Sequence, residues 1–101
     1  MEEKPATEVI WSPEGRERFR EVYAYLYDTF SPAYADEWTN TVLDKLKLLE
    51  RHPQLGRVVP EKQIRFMREV FAGKYRLIYT YLNGKVTVVS VKPMGSPLDL
   101  L

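Results

Sequence analysis

The chain has 101 residues, 45% of them hydrophobic and 29% charged, with no cysteine and a single histidine. That length suits one domain with a modest core, and the composition excludes a collagen repeat, a disordered tail and a disulfide scaffold. No apolar run approaches the ~18–20 residues that cross a bilayer, and Met1-Glu2-Glu3-Lys4-Pro5 has neither the basic nor the apolar region of a signal peptide, so a cytoplasmic location with no membrane partner is expected.

The same composition narrows the chemistry. A zinc centre needs cysteine or at least two histidines, a thiol nucleophile is impossible, and a serine triad would have to use His52. Catalysis of any kind would rest on Lys, Arg, Tyr and carboxylates, and neither metal nor cofactor is expected. The formal net charge of +1 hides a split: residues 1–50 carry a net −5 and residues 51–101 a net +6. The basic half either meets an anionic partner or lies against its own acidic helices.

In chain order, residues 1–5 are expected to be loose and the remainder of 1–101 to form the single domain. Glu8-Val9-Ile10-Trp11 is a short β-type run, closed by Ser12-Pro13, which supplies an N-cap and a first helical residue. Phe19, Val22, Tyr23, Leu26 and Phe30 then recur at helical spacing and predict a helix over about 13–30. Ser31-Pro32 repeats the cap signal, and Ala35, Trp38, Val42, Leu46 and Leu49 predict a second helix over about 32–51, ended by His52-Pro53. The two form a helical hairpin with almost no loop. Trp11, Trp38 and Tyr23 are candidate core residues, Tyr25 and Tyr27 are expected half-exposed beside a partner groove, and His52 is read as a helix-end residue.

Pro53-Gln54-Leu55-Gly56-Arg57 reads as a turn, and Ile64 to Ala72 as a strand of mixed alternation. Tyr75 to Leu82 is rich in aromatic and β-branched residues, Asn83-Gly84 is a tight hairpin turn, and Lys85 to Val91 returns as the partner strand, stopped by Pro93, Gly95 and Pro97. The order is β-α-α-β-β-β: an α+β layer with the helical hairpin on one face of a small antiparallel sheet. A two-residue loop at 83–84 sets Arg76 opposite Val91. Lys74, Arg76 and Lys92 should then converge at the sheet end far from that turn, joined by Arg68 if its side chain shares their face. Such a cluster can hold phosphate or carboxylate. Arg76 stands out because it interrupts an otherwise apolar and aromatic strand.

These parts together resemble the RelE/ParE superfamily of type II toxin–antitoxin toxins, from about Val9 to Lys92. The likeness is carried by Trp11-Ser12-Pro13, the helical hairpin, Pro53-Gln54-Leu55-Gly56-Arg57, Arg68, Tyr75-Arg76-Leu77-Ile78-Tyr79 and Val88-Val89-Ser90-Val91. The long hairpin and the Pro-x-x-Gly-Arg loop are closer to the ParE branch, the plasmid stabilisation proteins. The resemblance implies a toxin neutralised by a cognate antitoxin whose C-terminal segment wraps it, and inhibition of DNA gyrase by protein binding. Arg68, Lys74, Arg76, Lys92, Tyr75 and Tyr79 would form the target- and antitoxin-binding surface. The alternatives are a RelE-like ribosome-dependent mRNA interferase, with Arg76 as its catalytic residue stabilising the phosphorane, and a degenerate toxin that binds only antitoxin. The RelE set is poorly matched: Met67 and Glu69 stand where lysines are expected, Lys92-Pro93-Met94 follows the last strand, and no Tyr lies beyond Tyr81. Either a homodimer or a hetero-oligomer with antitoxin is consistent with the resemblance.

Overall fold

The computed structural model describes residues 4–95. Residues 1–3 of the segment expected to be loose, and the stop signal at Pro97, lie outside the described residues. The elements are β1 (Glu8–Trp11), α1 (Pro13–Thr29), α2 (Pro32–Arg51), β2 (Arg57–Val58), β3 (Met67–Ala72), β4 (Tyr75–Leu82) and β5 (Lys85–Pro93).

Both helices begin where the Ser-Pro pairs put them. Ser12 Oγ accepts from Gly15 N at 2.9 Å, and Ser31 Oγ accepts from Tyr34 N at 3.0 Å, each satisfying an amide that the helix leaves unpaired. Phe30 N and Ser31 N both donate to Leu26 O, so α1 ends and α2 starts within two residues. The helices are also tied by Tyr23 Oη donating to Asp36 Oδ1 at 2.6 Å. Ala35, Trp38, Val42, Leu46 and Leu49 of α2 are buried, as their spacing predicts. Fully burying a side chain such as Val42 or Leu49 is worth ~1.5–3 kcal/mol, so this stripe holds the hairpin on the sheet. Phe19 joins the layers, with its ring centroid 5.2 Å from both Trp11 and Trp38. Phe30 departs from the expected stripe: it is exposed and stacks on Tyr34 at 4.7 Å, because α1 ends before it.

The sheet has five strands in the order β1-β5-β4-β3-β2. It is antiparallel except at β1, which runs parallel to β5, whereas the sequence suggested antiparallel pairing throughout. β2 begins at Arg57, the last residue of the turn that the sequence predicts; it is only two residues long and is defined by its pairing with Glu69 and Arg68. The strand expected from Ile64 starts at Met67, and residues 60–62 and 65–66 are turns. Asn83 and Gly84 have φ of +53° and +77°, the conformation of a tight hairpin turn. Leu82 pairs with Lys85 and the expected register holds as far as Tyr79 opposite Val88. There a β-bulge leaves Val89 unpaired, and Arg76 comes opposite Lys92 rather than Val91.

Alternation sorts the strands into two faces. Val70, Ala72, Leu77, Tyr79, Val86, Val88 and Val91 belong to the core shared with the helices. Glu69, Arg76, Ile78 and Ser90 are also buried, but on the face turned away from the helices.

Candidate functional site

That outer face carries a chain of alternating charges. Glu69, on β3, is fully buried and accepts from Arg57 Nε at 2.6 Å and from Arg76 Nε at 2.6 Å. Register explains the meeting: Arg57 opposes Glu69 across β2 and β3, while Phe71, two residues along β3, opposes Arg76 on β4. The far side of the Arg76 guanidinium donates from both terminal nitrogens to the two oxygens of Glu61, each at 2.9 Å. Arg57 and Arg76 thus alternate with Glu69 and Glu61. Arg57 also covers the Phe71 ring, 5.4 Å from its centroid.

Arg76 is only 5% exposed. A guanidinium taken that far from water survives as an ion because its donors are met by carboxylates. Its pKa is raised, chiefly by the hydrogen bond to Glu61, with Glu69 adding to the shift against the cost of burial. The arginine that sequence singled out is therefore held by Glu61 and Glu69 and turned inward.

The expected cluster is partly assembled. Lys92 faces Arg76 across the β4–β5 ladder. Lys74 sits exposed in the Gly73-Lys74 turn, and its carbonyl accepts from Met94 N at 2.8 Å, which ties that turn to the end of β5. Lys74, Arg76 and Lys92 do gather at one sheet end. Arg68 does not join them. It opposes Tyr79, on the face toward the helices, and donates to Gly56 O at 2.7 Å. Tyr79 lies three positions along β4 from Arg76, an odd offset, so the two side chains leave opposite faces. With Gln54, Val58, Arg65, Phe66 and Tyr81, Arg68 lines a separate shallow depression.

The two candidate tyrosines differ as well. Tyr79 is completely buried: its hydroxyl donates to Pro53 O at 2.7 Å and accepts from Gly56 N at 3.0 Å, which pins the Pro53–Gly56 turn to the sheet. Tyr75 is half-buried, edge-on to Trp38 at 5.4 Å, and its pKa is raised, mainly by burial. It lines a shallow, largely apolar pocket with Glu21, Val22, Tyr25 and Pro93. Tyr25 and Tyr27, expected to be half-exposed, are exposed, and so are Phe30 and Tyr34. Sequence reasoning missed Glu61, which lies in a loop with no periodicity, and took Glu69 only as a misplaced lysine. The signal for Glu69 was a lone carboxylate in a strand next to one holding a lone arginine.

Among the described residues, no group of three or more His, Cys, Asp or Glu could hold a metal ion, and no helix is long and apolar enough to cross a membrane.

Residues 9–95 match a family model described as the ParE toxin of type II toxin–antitoxin systems, parDE. Among solved structures, the chain is similar to one from the chromosomal ParDE toxin–antitoxin system of P. aeruginosa, with a TM-score of 0.71 and 10% identity over 86% of this chain and 95% of that one. It is also similar to a chain of the RelBE2 toxin–antitoxin complex of Mycobacterium tuberculosis, with a TM-score of 0.60 and 17% identity over 92% of this chain and 95% of that one. No curated protein sequence matches.

Proposed function

Because the chain belongs to the ParE toxin family of type II toxin–antitoxin systems, we propose that it acts in the cytoplasm by binding a protein, DNA gyrase, and that a cognate antitoxin neutralises it. The observation that carries this reading is the state of Arg76. Cleavage of RNA by its own 2′-hydroxyl needs fixed positive charge on the phosphorane and groups that move protons. Here the strand arginine is consumed by Glu61 and Glu69, and Met67 and Glu69 occupy the strand positions where a ribonuclease of this superfamily would place lysines.

The rest of the candidate surface, exposed at Lys74 and half-buried at Tyr75, Lys92, Arg68 and Tyr81, suits protein recognition. Lys74, Lys92 and Tyr75 mark one sheet end, where Tyr75 lies beside Glu21, Val22 and Tyr25 of α1. Arg68 with Tyr81 marks the second depression. Arg76 and Tyr79 hold these surfaces in shape from within. An acidic, amphipathic antitoxin segment that folds on binding would complement both the cations and the exposed aromatics. A nanomolar complex corresponds to about −12 kcal/mol.

The test is DNA supercoiling by purified gyrase with increasing amounts of this protein. Inhibition that the antitoxin encoded beside it reverses is the expected result. Unimpaired supercoiling at concentrations that arrest growth would remove gyrase as the target.

A further inference from the structure

On α2, Tyr34, Glu37, Trp38 and Thr41 follow one another at three- and four-residue spacings and so share one face of the helix. With Gly73, in the turn between β3 and β4, they line a cleft of about 170 Å³. Pockets for whole small molecules run to ~300–1,000 Å³, so this one has the size for a single side chain. Its walls are aromatic. Tyr34 is exposed, and Phe30 stacks on its ring at 4.7 Å and steadies it. Trp38 is buried between Phe19 and Tyr75, with centroid distances of 5.2 and 5.4 Å. A Cβ at Gly73 would stand 3.4 Å from Trp38 Cδ1, so the glycine leaves that edge of the indole uncovered. The lining also offers acceptors. Trp38 Nε1 commits its proton to Ala72 O at 3.1 Å, and Thr41 Oγ1 donates to Glu37 O at 3.3 Å, which leaves the hydroxyl oxygen able to accept. Glu37 is exposed, and among the described residues no ion pair engages its carboxylate.

We propose that this cleft receives an arginine side chain from a basic segment of a partner protein, with the guanidinium over the Tyr34 ring and donating to the Glu37 carboxylate. Aromatic faces and a carboxylate both attract a planar cation, and a guanidinium can stack and donate at once. The surrounding charge has the matching sign: residues 28–44 carry Asp28, Asp36, Glu37 and Asp44 and no Lys, Arg or His. Lys74, next to Gly73, is exposed, and its charge opposes a small free cation. An arginine also brings an apolar stem that the rings cover, a gain that a bare ion lacks. This acidic, aromatic surface adjoins the cationic sheet end of Lys74 and Lys92 and takes a partner group of the opposite sign. The inference rests on the reading of this chain as a protein binder, and not on gyrase as the partner.

The test titrates capped alanine tripeptides with arginine, lysine or citrulline at the centre into the native chain, Glu37→Gln and Tyr34→Leu, at constant ionic strength. Binding is followed by the Trp38 indole Nε1–H and Gly73 amide resonances, and folding by the remaining amide spectrum. The expected result is a saturable shift with arginine, weaker binding of lysine, and no saturable shift with citrulline, which keeps the shape and loses the charge. Glu37→Gln and Tyr34→Leu should each weaken arginine binding by about two- to fivefold, the range of one exposed ion pair or cation–π contact. Citrulline or lysine binding as tightly as arginine would overturn the proposal. So would an arginine shift that does not saturate, or folded variants that bind arginine like the native chain. Should a variant fail to fold, arginine against citrulline on the native chain decides alone. Arginine binding by a chain that leaves gyrase untouched would remove that target and keep the cleft, and gyrase inhibition without arginine binding would do the reverse.

Discussion

Tyr79→Phe tests how the sheet holds the turn that leads into β2. The substitution keeps the ring, which is fully buried, and removes one oxygen. That oxygen serves two backbone groups, Pro53 O at 2.7 Å and Gly56 N at 3.0 Å. Stranding a buried donor or acceptor costs about 1–3 kcal/mol, so two such groups set an expected loss of about 2–4 kcal/mol once some local relaxation is allowed. For a domain of this size that corresponds to a fall in melting temperature of about 10–20 °C. Urea denaturation followed by circular dichroism, with an unchanged slope against denaturant, is the assay. Gly56→Ala probes the same contact from the other side, since a Cβ there would lie 2.7 Å from the Tyr79 hydroxyl oxygen and 2.5 Å from Glu69 O. A Tyr79→Phe loss below about 1 kcal/mol would refute the reasoning, because a hydroxyl replaced at so little cost was not satisfying two buried groups.

Glu69→Ala should cost about 3–5 kcal/mol in denaturant unfolding, since it strips a buried partner from Arg76, and Glu69→Gln should cost less because it keeps an acceptor. Gly15→Ala should destabilise the chain by about 2–3 kcal/mol or more, because its Cβ would fall 2.2 Å from Val88 O and push α1 off β5; a neutral effect in thermal melts would contradict that packing. Tyr75 favours its neutral form when folded, so its native pKa lies above the unfolded value near 10.0. Its contribution is full below that value and is lost as pH rises through the native one; ultraviolet titration should show a late-ionising tyrosine that Tyr75→Phe removes.

Much of this fold was legible because its signals are local. Ser12-Pro13, Ser31-Pro32 and His52-Pro53 mark helix ends through capping and backbone restriction, which need no tertiary partner. Asn83-Gly84 fixes a turn through its own positive φ values. What was not legible depends on distant residues. β2 exists only as the pairing partner of β3. The bulge at Val89 lies where β5 also pairs with β1, through Trp11 and Val88, and where Val88 O receives Ser12 N at 3.0 Å. It moves Arg76 by one register position. Arg76 itself was conspicuous as a cation in an apolar strand, but its partners come from elsewhere in the chain. A buried arginine satisfied by its own protein and an arginine presented to a ligand look identical in sequence.

Arg76, held by Glu61 and Glu69, is not presented for phosphoryl chemistry. The direct measurement is the integrity of a defined mRNA in a translating extract given the purified protein. Full-length message is expected at every concentration of the protein tested. Cleavage within codons that Arg76→Ala abolishes would contradict it.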